Sequence, residues 1–155
     1  MTILETSQLT PGQKEIMFTL WNKEYPAKLS FSDIAGLDNY LAALINPQFF
    51  LLQNDTEKIE GWAIKFIRTD EVWFALVIDS SVHGKGKGTV LLNKLKENES
   101  NLTGWVIDHE DDIKQNGEKY KSPMAFYLKN DFTIHPGRRF ETEMMSAVKI
   151  SWQRK

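Results

Sequence analysis

The sequence predicts a mixed α/β domain (α+β), and three stretches of the chain support this fold class. Apolar residues at helical spacing indicate two helices between residues 10 and 46. Three apolar segments separated by short turns follow between residues 48 and 78, which is typical of consecutive strands. Helical and strand-like patterns then alternate to the end of the chain. The predicted order is two helices, three strands, a helix, a strand, a helix and two strands.

Capping signals define the two N-terminal helices. Residues 10–13 (TPGQ) supply an N-cap, a proline for the first helical position and the glutamine of a capping box. Residues 25–26 (YP) end this helix, because a residue before proline avoids the helical conformation. A second helix is capped at residues 32–33 (SD) and stopped at residues 46–47 (NP).

Short apolar segments define the strands. Gln48–Gln53 and Ile59–Arg68 are predicted strands, and the uninterrupted apolar run Val72–Ile78 predicts a strand buried on both faces. A hairpin turn is expected at residues 69–71. The other predictions are helices over 88–98 and 122–130, strands near Ile3-Leu4 and over 105–107, 132–135 and 146–152, a loop over 108–121 and a turn at Pro136-Gly137.

Composition limits the function classes. The chain has 155 residues, of which 41% are apolar and 26% are charged, so we expect one globular domain over residues 1–155. The net charge of −2 argues against general nucleic-acid binding. The chain has no cysteine, which excludes disulfides, zinc–thiolate sites and cysteine nucleophiles.

Targeting signals are not found. Residues 1–10 lack the basic and apolar regions of a secretory signal, and no apolar stretch reaches membrane-spanning length. We therefore expect a cytoplasmic protein without a membrane partner.

A glycine-rich segment follows the buried strand and precedes a helix. Gly84, Gly86 and Gly88 alternate with Lys85 and Lys87. Glycine lets backbone N–H groups approach a ligand closely, and the start of a helix adds unpaired N–H donors. The arrangement predicts a phosphate site. A glycine-rich turn carrying two solvated lysines is the alternative interpretation.

Two common phosphate loops do not fit this segment. A Walker A loop requires a serine or threonine after its Gly-Lys pair, but Gly88 follows Lys87. The dinucleotide fingerprint requires a different glycine spacing after a parallel strand, whereas the strand here follows a hairpin turn. A Rossmann-type site is therefore disfavoured.

The segment resembles the coenzyme A loop of the GNAT acyltransferase superfamily. That loop has a glutamine or arginine, a glycine three residues later and a glycine or alanine two residues after that. Gly86 and Gly88 match, and His83 replaces the first residue. Residues 125–132 (AFYLKNDF) resemble the second GNAT signature, although aspartate replaces the glycine of its Gly-Phe pair. The resemblance covers residues 48–152.

The resemblance implies a central mixed sheet of about six or seven strands flanked by about four helices. It implies that acyl-coenzyme A binds where the strands ending at Ile78 and Ile107 separate. Backbone groups of the first strand would pair with pantetheine, and the N–H groups of residues 84–89 would hold the pyrophosphate. The implied donor-binding residues are Leu76, Ile78, His83, Gly84, Lys85, Gly86, Lys87, Gly88 and Thr89.

The activity implied is an acyl-coenzyme A-dependent N-acyltransferase, with acetyl-coenzyme A as the expected donor and a small-molecule or peptide amine as the acceptor. One alternative is a non-catalytic GNAT-fold module that binds coenzyme A as a sensor or interaction domain. A nucleotide-binding protein that uses the same loop is another. We expect a monomer or a homodimer paired through an exposed edge of the strand over 146–152.

The resemblance places an acid tyrosine at Tyr127, where a phenol can give a proton to the departing thiolate. A core tyrosine is the alternative. His109 is the candidate base, and Asp108 is a second catalytic candidate. The alternatives are a solvated loop in which Asp108 only fixes the strand end, and a water chain that takes the proton without a single base. The three histidines show no metal-ligand spacing, so no metal is expected. Acceptor candidates, equally explained by packing, are Trp21, Tyr25 and Pro26.

Overall fold

The computed structural model describes all 155 residues, Met1–Lys155. It contains seven strands, four α-helices and two short 3-10 helices at Ala27–Leu29 and Ser80–Val82. In chain order the elements are β1 (Thr2–Thr6), α1 (Pro11–Glu24), α2 (Ile34–Ala42), β2 (Ile45–Gln53), β3 (Ile59–Arg68), β4 (Glu71–Ile78), α3 (Lys87–Lys96), β5 (Asn101–Val106), α4 (Met124–Lys129), β6 (Thr133–Glu141) and β7 (Ser146–Gln153).

All strands join one sheet in the order β1-β2-β3-β4-β5-β7-β6. The β4–β5 pair is parallel, and every other neighbouring pair is antiparallel. The predicted fold class, a mixed sheet with flanking helices, is confirmed, and so is the additional N-terminal strand. None of the helices has both the length and the hydropathy needed to cross a lipid bilayer.

The N-terminal helices begin where their capping signals predict. The Thr10 hydroxyl accepts the N–H of Gln13 at 3.1 Å, and the Gln13 side chain accepts the N–H of Thr10 at 2.9 Å. Asp33 caps α2 by accepting the N–H of Gly36 at 3.1 Å. Both caps satisfy backbone N–H donors that the start of a helix leaves unpaired. The predicted starts of α1 and α2 are therefore confirmed.

Two predicted breaks lie inside strands. Asn46-Pro47 belongs to the first part of β2, where Asn46 has φ 50° and the pairing with β3 is irregular. Pro136-Gly137 belongs to β6, where the register with β7 shifts between His135 and Arg139. Proline cannot donate to a ladder, so strands accept it at bulges and sheet edges. Both prolines are accommodated in this way rather than by ending the strand.

The helices cover both faces of the sheet. α1 and α2 pack on one face, where Met17, Leu37 and Trp62 are fully buried. α3 and α4 pack on the other face, where Leu91 and Leu95 are fully buried. Two separate apolar layers thus hold the sheet between two pairs of helices.

The β4 side chains enter both apolar layers, as the sequence predicts for a strand buried on both faces. Trp73 and Val77 pack with α1 and α2, whereas Phe74 packs with α3 and α4. At the C-terminal end of the strand, Leu76 and Ile78 are only half-buried. The end of β4 is therefore the place where the sheet becomes accessible.

The final strand differs from one prediction. β7 lies between β5 and β6, so it has no free edge. Its apolar residues Val148, Ile150 and Trp152 are all buried within the chain. The edge on which a homodimer was expected therefore does not exist at β7, because β6 pairs with it.

Candidate active site

β4 and β5 run parallel but separate toward their C-terminal ends. One residue pair, Trp73 and Thr103, is in register between them. β4 remains paired with β3 as far as Ile78, and β5 remains paired with β7 as far as Val106. Because the two strands follow different neighbours, a gap opens in the sheet beyond Trp73.

The hydrogen-bond alternation along β4 identifies the backbone groups that face this gap. Asp79 donates its N–H to the Glu60 carbonyl of β3 at 2.8 Å. Val77, two residues earlier, therefore also bonds toward β3. Leu76 and Ile78 lie at the alternate positions, so their N–H and C=O groups point toward β5. These are the strand residues that the sequence resemblance implied for donor binding.

The His83 side chain forms a hydrogen bond with one of those backbone groups. Its Nε2 lies 2.8 Å from the Ile78 carbonyl oxygen. Because a carbonyl only accepts, Nε2 carries the hydrogen. The bond holds the loop of residues 83–89 against the end of β4. It leaves the N–H and C=O of Leu76 and the N–H of Ile78 open toward the gap.

The loop itself has the backbone geometry of an anion site. Gly84 and Gly86 have φ +79° and +76°, a left-handed conformation that side chains disfavour. Gly86 is the N-cap of α3 and supplies no side chain to the helix start. The first N–H groups of α3, on residues 87–89, therefore have no partner within the helix. These residues line a cavity.

The remaining loop residues are placed differently. A Cβ on Gly88 would lie 3.1 Å from the Phe126 ring, so this glycine lets α3 and α4 approach each other. Lys87 forms an ion pair with the Glu60 carboxylate. Lys85 is exposed and does not line the cavity. The positive charge nearest the phosphate site is therefore partly neutralised before any ligand arrives.

One cavity of about 730 Å³ lies at the end of β4 and is lined by residues from both faces of the sheet. Tyr127 lines it from the α3/α4 face, and Tyr25 lines it from the α1 face. We call the part beside residues 83–89 the loop end. The part beside Glu24 and residues 112–120 is the hairpin end.

Tyr127 is buried in α4 but its hydroxyl is available to the cavity. The ring packs against Phe74 and Phe132, with centroids 5.7 and 5.3 Å away. The hydroxyl has no hydrogen-bond partner within the protein, and it is not sealed from the cavity. Burial, with a smaller contribution from Tyr120, raises the pKa of the Tyr127 phenol well above its usual value. The phenol is therefore neutral near pH 7 and keeps a hydroxyl hydrogen that it can donate in a hydrogen bond.

Residues 112–120, predicted as loop, form a small hairpin. Ile113 and Lys119 make an antiparallel bridge, and Tyr120 donates its N–H to the Asp112 carbonyl at 3.0 Å. Gly117 turns the chain with φ +87°. The dipeptide Asn116-Gly117 is a strong hairpin signal that the sequence offered. Lys114, Tyr120 and five neighbours within 118–123 line the cavity.

The hairpin is attached to the segment between α1 and α2. Lys28 Nζ lies 2.8 Å from Asp112 Oδ1, and the Gln115 amide donates to Ser30 Oγ at 2.9 Å. The Ala27 N–H donates to the hairpin backbone at 2.8 Å. These contacts join segments that are about 85 residues apart in the sequence. They form a fixed wall at the hairpin end.

Glu24 is a functional candidate that the sequence did not reveal. Only 8% of the residue is exposed. Its carboxylate accepts the Ser80 N–H at 2.7 Å and lies 3.2 Å from Lys114 Nζ. An acidic residue in the last turn of a helix opposes the helix dipole, and that unusual placement was the available signal. Glu24 connects α1, the end of β4 and the hairpin at the cavity wall.

Asp108 and His109 lie outside the cavity lining. Arg139 binds both Asp108 oxygens, at 2.8 and 3.0 Å, and mainly this contact lowers the pKa of Asp108. His109 Nδ1 accepts the Asp111 N–H at 3.1 Å. The structure therefore does not bring either predicted catalytic residue, His109 or Asp108, into the cavity that Tyr127 lines.

The aromatic acceptor candidates separate into core and cavity residues. Trp21 is buried, stacks on Trp62 at 5.7 Å and donates its indole N–H to Leu29. Pro26 does not line the cavity, whereas Tyr25 does. Only Tyr25 of these candidates is placed to touch a ligand.

Sequence comparison and structure comparison give different results. No family model and no curated protein matches the chain by sequence. Among solved structures, an aminoglycoside 6'-N-acetyltransferase complexed with coenzyme A is similar, with TM-score 0.73 and 14% identity over 99% of this chain and 97% of that chain. The chain has the GNAT fold. The fold that the sequence resemblance implied is therefore confirmed.

Other solved GNAT structures show the same likeness. A phosphinothricin acetyltransferase from Sinorhizobium meliloti, in complex with acetyl-coenzyme A, gives TM-score 0.66 and 10% identity over 99% of this chain and 89% of that chain. A spermidine N-acetyltransferase from Vibrio cholerae gives TM-score 0.65 and 15% identity over 99% of this chain and 95% of that chain. The GNAT fold here places the glycine loop and Tyr127 on one cavity.

Proposed function

We propose that this protein is an acyl-coenzyme A-dependent N-acyltransferase that uses acetyl-coenzyme A and transfers the acyl group directly to an amine. The observation that carries the proposal is a cavity at the end of β4, where β4 and β5 separate, that is lined by residues from both faces of the sheet. A donor entering from the loop end and an acceptor entering from the hairpin end would meet beside Tyr127. The whole chain, residues 1–155, acts as one domain in this proposal.

The donor is held mainly by backbone groups. The pyrophosphate lies on the N–H groups of residues 84–89, where converging donors suit a doubly charged group. The pantetheine amides pair with both backbone groups of Leu76 and the N–H of Ile78. His83 acts by fixing the loop to β4, because its ring is already bonded to the Ile78 carbonyl. Lys85 and Lys87 add long-range attraction.

The reaction needs a neutral amine and a protonated leaving group. The amine nitrogen attacks the thioester carbonyl carbon, a C–N bond forms and the C–S bond breaks. The departing thiolate takes the Tyr127 proton, since the neutral phenol is available to the cavity. The proton released by the amine passes to cavity water, and Tyr127 regains its proton from that water. The products are an N-acyl amine and coenzyme A.

A non-catalytic coenzyme A-binding module is the second candidate. It is favoured by the engagement of Glu24, the buried carboxylate at the cavity, with Lys114 and Ser80. The other carboxylate of the lining, Glu118, is exposed, and the His83 ring is bonded to the Ile78 carbonyl. The buried part of the cavity therefore holds no unengaged carboxylate or imidazole that could act as a base. Both candidates bind the donor, and only the enzyme releases coenzyme A when an amine is added.

Two glycines allow a matched test of donor binding. Gly86 and Gly117 both have positive φ and open space around the Cβ position, but only Gly86 belongs to the phosphate loop. Gly86→Glu places a side chain and a negative charge at the site, so donor affinity should fall by roughly tenfold or more. Gly117→Glu carries the same strain and charge elsewhere, so donor affinity should stay unchanged.

The measurement is isothermal titration of acetyl-coenzyme A into each folded variant, together with release of free thiol in an amine screen. An equal loss of donor affinity in both glycine variants would show that the loop is not part of the donor site. Tight donor binding without thiol release for any amine would favour the non-catalytic module.

A further inference from the structure

The hairpin end of the cavity contains a buried pair of opposite charges. Glu24 and Lys114 lie 3.2 Å apart, and their side chains are 7% and 11% exposed. Both residues line the cavity. Because Glu24 has spare lone pairs and Lys114 has spare N–H donors, each partner can bind a second group of opposite charge.

We infer that the acceptor is an amine that also bears a carboxylate close to it, as in a free α-amino acid. Its ammonium would lie on Glu24 and its carboxylate on Lys114, antiparallel to the ion pair. The two protein atoms are 3.2 Å apart, so the two acceptor groups must be similarly close. This inference rests on the proposed function and specifies the substrate of the same site.

The charge of the cavity wall favours such an acceptor over a polycation. Five lysines and two glutamates line the cavity. At the hairpin end, Lys119 and Lys121 are exposed on the rim and make no ion pair within the protein. Glu118 is the one exposed carboxylate of the lining, and these two lysines outnumber it. An excess of positive charge raises the local concentration of the opposite charge. A polyamine would meet this excess of ammonium groups and bind poorly.

The acidic residues near the hairpin do not reverse this balance. Asp108 binds Arg139, and Asp112 binds Lys28. Neither carboxylate lines the cavity. These two carboxylates are thus paired with cations outside the cavity and add no negative charge to its wall.

Neutral tyrosine side chains line the cavity where the side chain of the acceptor would lie. Tyr25 directly follows Glu24, and Tyr120 belongs to the same hairpin as Lys114. Burial raises the pKa of both phenols, so they carry no charge near pH 7. Aromatic rings with free hydroxyls can contact apolar or polar side chains.

The test compares each amino acid with its decarboxylated amine and its carboxamide, and adds spermidine as a polycation. Thiol release from acetyl-coenzyme A gives kcat/KM for each acceptor. For at least one amino acid we expect kcat/KM roughly tenfold or more above both derivatives, since a charged hydrogen bond contributes about that much. Spermidine should be the poorest acceptor. A decarboxylated amine or spermidine that outperforms every amino acid would overturn the inference.

Substitutions test whether the preference for an amino acid depends on the Glu24–Lys114 ion pair. Lys114→Met should reduce the preference for the amino acid over its amine to nearly one, whereas Lys114→Arg should keep most of it. Because Lys114→Met leaves Glu24 without its partner, the double variant Glu24→Gln/Lys114→Met serves as the folded reference. A Lys114→Met enzyme that keeps the full preference would also overturn the inference.

Binding without turnover distinguishes this inference from the proposed function. In the presence of coenzyme A, the amino acid should raise the melting temperature and the matched amine should not. If amines that lack a carboxylate release thiol as efficiently as every amino acid or more so, the function stands and the acceptor class is wrong. If the amino acid binds but no acceptor releases thiol, the enzyme proposal fails and the recognition site remains.

Discussion

The loop end and the hairpin end of the cavity are built in different ways. The loop end consists of backbone groups from residues 76–89, one continuous piece of chain that passes from strand to helix. The hairpin end consists of side chains brought together from residues 24–30 and 112–120. One end therefore depends on local conformation, and the other depends on contacts between distant segments.

This difference indicates which end of the cavity can vary in ligand specificity. Backbone N–H groups recognise a phosphate whatever side chains surround them, so the loop end suits a ligand that never changes. Side chains such as Glu24, Lys114 and Tyr120 can be replaced without altering the sheet. The hairpin end is thus the place where a constant donor can be matched to a particular acceptor.

The sharpest comparison of the two ends uses their tyrosines. Tyr127→Phe should lower kcat by roughly 10² or more, because the proton donor to the thiolate is lost. Donor affinity should change little, since the phosphate and pantetheine contacts lie on other residues. Tyr120→Phe removes the same hydroxyl from the hairpin end and should instead raise the acceptor KM by a few-fold.

Steady-state kinetics with both substrates varied, together with circular dichroism, separate these effects. A normal kcat for Tyr127→Phe would show that Tyr127 has only a packing role, in contact with Phe74 and Phe132. A reversed result, in which Tyr120→Phe alone loses kcat, would move the proton donor to the hairpin end.

The ion pair between Asp79 and Lys23 is expected to contribute to the stability of the folded state. Asp79 follows β4 and binds Lys23 of α1 at 2.7 Å. Burial would raise the pKa of Asp79, but the hydrogen bonds from Lys23 and Ser81 outweigh it and lower this pKa to about 2. Since a lowered carboxylate pKa stabilises the folded state, Asp79→Asn should lower the free energy of unfolding by about 2 kcal/mol at pH 7.

The pH dependence gives the sign of this effect. The stabilisation is complete above the unfolded pKa of 3.8 and disappears as the pH falls to about 2. Urea unfolding of wild type and Asp79→Asn should therefore differ at pH 7 and converge near pH 2. A difference that persists unchanged at pH 2 would assign the effect to packing rather than to charge.

Much of the fold followed from local sequence signals. The capping residues Thr10 and Asp33 set helix starts correctly, and the apolar run in β4 identified the strand beside the gap. Pro47 and Pro136 misled because proline stops a helix but only interrupts a strand's hydrogen bonds at a bulge or an edge. β7 misled because strand order depends on long-range pairing that no local pattern records.

At the loop end the candidate site could be predicted from a local pattern, whereas elsewhere only single residues, Tyr127 and Tyr25, were identified in advance. Glycine spacing encodes a backbone conformation, and Gly84 and Gly86 have the positive φ that such spacing suggests. Glu24 and Lys114 meet only because the hairpin folds back onto α1, ninety residues away. His109 looked suitable by type, but its ring is bound within its own loop. Residue type alone does not determine which cavity a side chain reaches.

The smallest expected effect tests whether the hairpin acts only on the acceptor. Lys28→Met breaks the ion pair with Asp112 that attaches the hairpin, and the Asp112 side chain is only 8% exposed. The hairpin should then be held less rigidly. We expect the acceptor KM to rise roughly threefold, because an ion pair with an exposed lysine contributes less than about 1 kcal/mol. Donor affinity should stay within error, because residues 84–89 make no contact with Lys28.

Lys14→Met is the matched control. Lys14 binds Asp38 at 2.6 Å and is about as exposed as Lys28, but its partner is 45% exposed and lies on α2, away from the cavity. Exposed pairs of this kind contribute little, so both Michaelis constants should be unchanged. A rise in the donor KM for Lys28→Met would mean that the hairpin supports the loop end as well. The two ends would then have to be treated as one structural unit.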